Sequence, residues 1–340
     1  MINESPSASG VMTESDVMPA LAPTSGAERQ WRPSRRQIAV TLWAAVVVTM
    51  TIRWGVPTGR SNMFIILGLG LIAFGADNPR IVLRVLRDWG PLFLMLTAYD
   101  LLRGQADQWG SVHILPQLHV DEWLFGGNAP TVLLQHAIFT PGRPHWWDYA
   151  AFLVYLSHFF ASLIIAAVLW KFAYHRFHRF AGMFVGLSFA AFVTYALYPA
   201  APPWLASQVP HALGPTAKII DEIWVHIGLH QGANLLSARG NLANPVAAVP
   251  SLHGAYPFLL MLFFWRSAGR WRWLLPLYPL AMGFTLVYTG EHYVFDILLG
   301  WLYATTVFVV GNLVADLWSR RKERTRSGAL VPATVLVESN

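Results

Sequence analysis

Residues 244–266, NPVAAVPSLHGAYPFLLMLFFWR, decide what kind of molecule this is. Asn244, Pro245 and Pro250 punctuate the first part as turn or loop. From His253 the chain turns apolar and stays so up to Arg266, which reads as the start of a membrane helix with an ionisable ring at its lip. Seven more apolar runs occur near 37–54, 62–76, 89–103, 149–170, 180–198, 273–289 and 293–317. Hydrophobic residues make up 55% of the 340, charged residues only 12%, and mean hydropathy is +0.42. That is too apolar for soluble domains. The expectation is an all-α, polytopic membrane helix bundle of about eight spans. Runs 62–76 and 89–103 fall short of the roughly 20 residues that cross ~30 Å of hydrocarbon, so either their ends extend into less apolar flanks or the bilayer thins around them.

Orientation follows from the positive charges, because Lys and Arg are retained on the cytoplasmic side. On the faces that eight spans imply, one face carries 18 of the 24 Lys and Arg, from Arg29 to Arg326. The other keeps Arg53, Arg60, Arg103, Arg143, Lys218 and Arg239. Both termini are therefore expected in the cytoplasm, and the net charge of +6 reflects topology, not nucleic-acid binding. Residues 1–36 read as a disordered cytoplasmic tail, 37–318 as the membrane domain and 319–340 as a second cytoplasmic tail. The absence of cysteine rules out disulfides, thiolate catalysis and thiolate-bound metals. Richness in Ala, Arg and Trp without cysteine points to a bacterial inner membrane, with the outer face periplasmic.

Two long connections, about 104–148 and 199–252, lie on the outer face. In the first, PTVLLQHAIF has helical periodicity but is too short to span, which suggests an interfacial helix. The tryptophans of these loops (Trp109, Trp123, Trp146, Trp147, Trp204, Trp224) fit either an aromatic belt or a water-excluding lid.

His253 opens the sixth run on the outer face. The chain crosses inward, returns through 273–289, and opens the eighth run at His292. One out-and-back hairpin thus delivers two histidines to the same surface at the same depth. Asp296 follows His292 by one helical turn, so its carboxylate can hold one imidazole nitrogen and leave the other free. A carboxylate near the end of a span is costly enough to suggest function. An imidazole so oriented is a nucleophile or base, and a second imidazole can protonate a leaving group. The amides of Ser251 to Gly254, at a helix N-terminus, suit an anion. Phosphoryl transfer fits these parts best. Acyl transfer fits less well, because no elbow motif surrounds Ser251. Twelve histidines leave a metal site open, but no ligand-like His spacing includes His253 or His292.

PSLH at 250–253 followed by EHYVFD at 291–296 resembles two motifs of the type 2 phosphatidic acid phosphatase superfamily. YPAAPPW at 198–204 and YDLLRG at 99–104 make the chain more similar to its inositol phosphorylceramide synthase (inositolphosphotransferase) branch. The resemblance spans roughly 89–317. It implies a six-helix core, His292 as a nucleophile forming a phosphohistidine, Asp296 as its orienting partner, and His253 as general acid. It implies no metal and no cofactor. The superfamily's Lys-x6-Arg-Pro motif is absent, and its Ser-Arg pair falls on Thr285 and Leu286. The phosphate clamp is therefore expected from Arg103, Arg239 and Lys218 with Ser251, and the substrate lining from Tyr99, Asp100 and Trp204.

The expected activity is transfer of a phospho-headgroup, such as phosphoinositol, from a phospholipid to a polyol, sugar or lipid hydroxyl. A lipid-phosphate or polyprenyl-phosphate phosphatase is the alternative with the same site. A transporter or scaffold is the alternative without chemistry, and there His158, inside the fourth run, would serve as a proton relay.

Overall fold

A computed structural model describes residues 32–54, 60–103, 110–228 and 244–328. They form twelve α-helices, the first three being α1 (Arg35–Trp54), α2 (Arg60–Phe74) and α3 (Pro79–Arg103). Next come α4 (Leu115–Leu124), α5 (Pro130–Ile138), α6 (Trp146–Phe172), α7 (Tyr174–Leu197), α8 (Pro203–Ala206) and α9 (Ile219–His226). The last are α10 (Leu252–Phe264), α11 (Leu277–Tyr288) and α12 (Val294–Gly328). Each of the eight apolar runs lies on a helix, and the interfacial segment is α5. The fold is a polytopic membrane helix bundle.

Three described segments are long and apolar enough to cross a bilayer outright: Trp146–Phe172, Tyr174–Leu197 and Val294–Arg321. The others depart from the simple span for visible reasons. The run 89–103 is only the second half of α3, which starts at Pro79. Asn78 begins that helix, its Oδ1 accepting from the Arg80 amide at 3.0 Å, with Pro79 in the first position, where a missing N–H costs nothing. Arg80, Arg84, Arg87 and Asp88 make that first half too polar for an apolar-run search. Helices α10 and α11 have 13 and 12 residues, about 20 Å each at 1.5 Å per residue. Between them runs a short 3₁₀ helix, Gly269–Leu274, rich in Trp and Arg.

Helix α10 is the hub, packing against α6, α7, α11 and α12. Its tight seam with α12 needs glycine. A Cβ on Gly300 would lie 2.4 Å from the Ser251 carbonyl oxygen, and one on Gly254 would lie 3.2 Å from Ile297 Cγ2. Tyrosine hydroxyls lock the neighbouring seams: Tyr195 of α7 donates to the Pro250 carbonyl at 2.7 Å, and Thr194 of α7 meets Tyr303 of α12 at 2.7 Å. The main apolar core runs through α2, α3, α6, α7, α10 and α12.

The long connections meet above the start of α12. Segments around His113, Ala200 and Ala247 pair in parallel, with Ala200 N–H donating to Val246 O (2.7 Å) and Ala201 N–H to His113 O (2.9 Å). Gln117 of α4 donates to His113 O (2.8 Å) and Ala201 O (3.0 Å). The small residues of YPAAPPW allow this close pairing, and Ala200, Ala248 and Val249 pack on Phe295 and Leu299 of α12.

Candidate active site

The site forms where the N-termini of α10 and α12 meet. Ser251 caps α10, its Oγ accepting from the Gly254 amide at 3.2 Å. Its own amide donates to the Asp296 carbonyl at 2.9 Å, which ties the two helix starts together. Asp296 is the third residue of α12 and is fully buried. Its Oδ2 accepts from the Tyr293 amide at 3.0 Å and from His292 Nδ1 at 3.3 Å. A first-turn carboxylate is favoured there by the helix dipole and by the open backbone N–H groups. With Nδ1–H committed to Asp296, His292 Nε2 carries the lone pair, and it faces His253 Nδ1 at 3.3 Å.

Helix α6 supplies the wall behind His253. Tyr155, His158 and Phe159 lie on one helical face. The Tyr155 ring stacks on His253 with centroids 5.2 Å apart, His158 lies 4.2 Å away, and Phe159 packs edge-on at 5.9 Å. His158, the proton-relay candidate of the transport alternative, therefore belongs to the surroundings of the histidine pair. Its i+3/i+4 pattern was visible in the sequence, but its target was not.

Asp121 of α4 belongs to no motif in the sequence. Fully buried, it accepts from the Val294 and Phe295 amides at 2.9 Å each, two of the three residues between His292 and Asp296. Burial pushes its carboxyl up to about 6, against the pull of those two amide hydrogen bonds. Glu291 adjoins His292 in the chain. Burial raises its carboxyl as well, while Lys218 and His292 pull it down.

The remaining expected residues are placed as follows. Lys218 lies at the start of α9, with its ammonium 3.1 Å from Asp221 Oδ2 and 4.9 Å from the centre of the Trp204 ring. The Trp204 amide donates to Gly290 O at 3.1 Å, and the Ile219 amide to Thr289 O at 3.3 Å. Lys218 and Trp204 thus flank the loop that carries His292. Tyr99 is buried on α3, edge-on to Phe189 and Phe192 of α7. Asp100 is buried beside it. Arg103 closes α3, and Arg239 lies outside the described residues. Ser251 lies at the junction itself: its hydroxyl accepts from Gly254 within α10, and its amide ties α10 to the start of α12. Among the described residues, no group of three or more His, Asp or Glu is arranged to hold a metal.

A family model described as the PAP2 superfamily matches residues 118–310, more than half of the chain. The chain belongs to the PAP2 superfamily. The matched segment begins within α4 and contains both histidines and Asp296; α1, α2 and α3 lie outside it. A phosphoinositol dihydroceramide synthase from Bacteroides thetaiotaomicron is 28% identical over 257 residues, covering 71% of this chain and 80% of its own length. No solved structure matches the chain. Membership and this likeness make the protein a membrane enzyme that acts on lipid-linked phosphate.

Proposed function

We propose that the protein transfers a phosphoinositol headgroup from a phospholipid donor to the hydroxyl of a sphingoid-type lipid, through a phosphohistidine on His292. The observation that carries this reading is the relay Asp296–His292–His253, in which one nitrogen of His292 is held and the other faces a second imidazole. His253 swings away from Nε2 to admit the phosphodiester. Nε2 then attacks phosphorus, the P–O bond to the donor's glycerol breaks, and protonated His253 gives its proton to the departing oxygen. In the second half His253, now neutral, takes the proton of the acceptor hydroxyl. That oxygen attacks phosphorus and the P–N bond breaks. Asp296 holds the ring and stabilises its positive charge in between.

Lys218, Arg103 and Arg239 are the cations we assign to the phosphate oxygens, with Lys218 leaving Asp221 to do so. Trp204 offers a flat face for the headgroup ring. The charge distribution supports cytoplasmic termini and a site opening to the periplasmic side of the inner membrane. The likeness to a phosphoinositol dihydroceramide synthase supports the choice of donor and acceptor.

The test uses the full-length protein in lipid nanodiscs with phosphatidylinositol and dihydroceramide. The expected products are phosphoinositol dihydroceramide and diacylglycerol, with label trapped on His292 when the acceptor is withheld. Release of inositol phosphate and diacylglycerol without the new lipid would mean that water resolves the intermediate and the protein is a hydrolase. Turnover without His292 would remove the mechanism.

A further inference from the structure

We infer that Asp121 is a positioning residue for the histidine–carboxylate pair: from α4 it fixes the first turn of α12 between His292 and Asp296 and adds a second buried carboxylate to the field around the His292 ring. This rests on the catalytic reading above. The first turn of a helix leaves its amides without intrahelical partners. The sequence here, Tyr293-Val294-Phe295-Asp296, has no Ser, Thr, Asn or Asp at the position before the helix, where those residues normally serve. Asp296 covers only the Tyr293 amide. Asp121 covers the next two, one oxygen each, from 173 and 174 residues away in sequence.

A neutral Ser or Asn can cap a helix as well as Asp. Two fully buried carboxylates on one helical turn repel each other, and each costs desolvation. A charged cap in that position is therefore a poor choice for stability alone. It is a good choice for chemistry that places positive charge on the ring between them. When Nε2 bonds to phosphorus while Nδ1 keeps its proton, the imidazole becomes cationic, and both carboxylates favour that state. Asp121 touches neither substrate nor the ring, so it acts through the helix start and through its charge. The titratable groups that interact with it are Asp296 and Tyr293 on the α12 side, with Glu122 beside it on α4. The other residues clustered here, Leu118, Ala129, Val132 and Leu213, are apolar.

Two measurements on the full-length protein separate charge from capping. In the phosphatidylinositol–dihydroceramide assay, Asp121→Asn is expected to lower kcat by about tenfold, the equivalent of about one pH unit of interaction, with KM little changed. The acid limb of its kcat–pH profile moves to lower pH, because the ring loses a neighbouring negative charge. Asp121→Glu, which keeps the charge but misfits the two amides, is expected to lose rate while retaining the wild-type limb. The second measurement needs no substrate: in protein labelled with ring-¹⁵N histidine, the titration midpoint of the signal that disappears in His292→Ala moves to lower pH in Asp121→Asn. If both the kinetic limb and the ring signal stay where they are in wild type, Asp121 is a cap only and the inference falls. If the ring signal moves but wild-type protein makes no product from this lipid pair, the assigned reaction fails while the electrostatic link stands.

Discussion

Helices α1 and α10 are both apolar, yet they stand at opposite ends of what packing can impose. Helix α1 packs chiefly on α2 and leaves Leu42, Val46, Val48 and Ile52 more than half exposed to the surroundings. Helix α10 touches four helices and has no exposed residue. In α1, hydrophobicity only has to match lipid, and almost any apolar side chain serves. In α10, shape must match on every side, because the interior is close-packed. The difference explains why the chemistry sits at the end of α10. Holding two rings and a carboxylate at 3.3 Å contacts requires helices that cannot slide, and α1–α3 lie outside the segment shared with the family.

The largest effects should therefore come from the junction of α10 and α12. His292→Ala and Asp296→Asn should each bring turnover in the nanodisc assay to background while the protein still elutes as a folded species; near-wild-type activity in either would break the contrast. His253→Ala comes next. Its loss should be greatest for donors with a poor alkoxide leaving group and small for a nitrophenyl phosphodiester, and an equal loss with both would refute its role as acid.

Below these in size lies a pair of glycines. Gly300→Ala puts a methyl 2.4 Å from Ser251 O, and overpacking of this kind costs about 1–3 kcal/mol. A lower melting temperature in detergent and a slower rate are expected together, because the seam it opens also carries Asp296. Gly68→Ala, in α2, meets nothing within 4 Å. The change should be neutral or stabilising by up to about 1 kcal/mol, since alanine is the better helix former, and activity should not change. Equal behaviour of the two variants would show that α2 is packed as tightly at Gly68 as the seam between α10 and α12.

Much of the site was legible before folding. The four-residue step from His292 to Asp296 keeps the two in reach, although His292 lies just before the helix start and Asp296 reaches back to it, and the single hairpin between 253 and 292 fixes which face both rings share. Periodicity also located α5 inside a loop. Harder to read were contacts made by residues whose own neighbourhoods look ordinary. Asp121 sits in LHVDEW, a short amphipathic stretch with no motif, and its partners are backbone amides, which every sequence has. Tyr155, His158 and Phe159 read as one face of an apolar helix, and only the approach of α10 makes that face the wall behind His253. Ser251 shows another contact of this kind: its place at a helix start was legible, but the bond from its amide to the start of α12 was not.

Sequence alone determined the bilayer as solvent, the helices that cross it and the shared face of the two histidines, because hydropathy and helical period are local quantities. It also placed Asp296 four residues from His292, within reach of its ring. Only the tertiary structure decided which helix stands behind His253, which carboxylate caps α12 and which glycine lets the two helix starts touch. Those are decisions of close packing between segments well separated in the chain, and packing depends on shapes that meet only once the chain has folded.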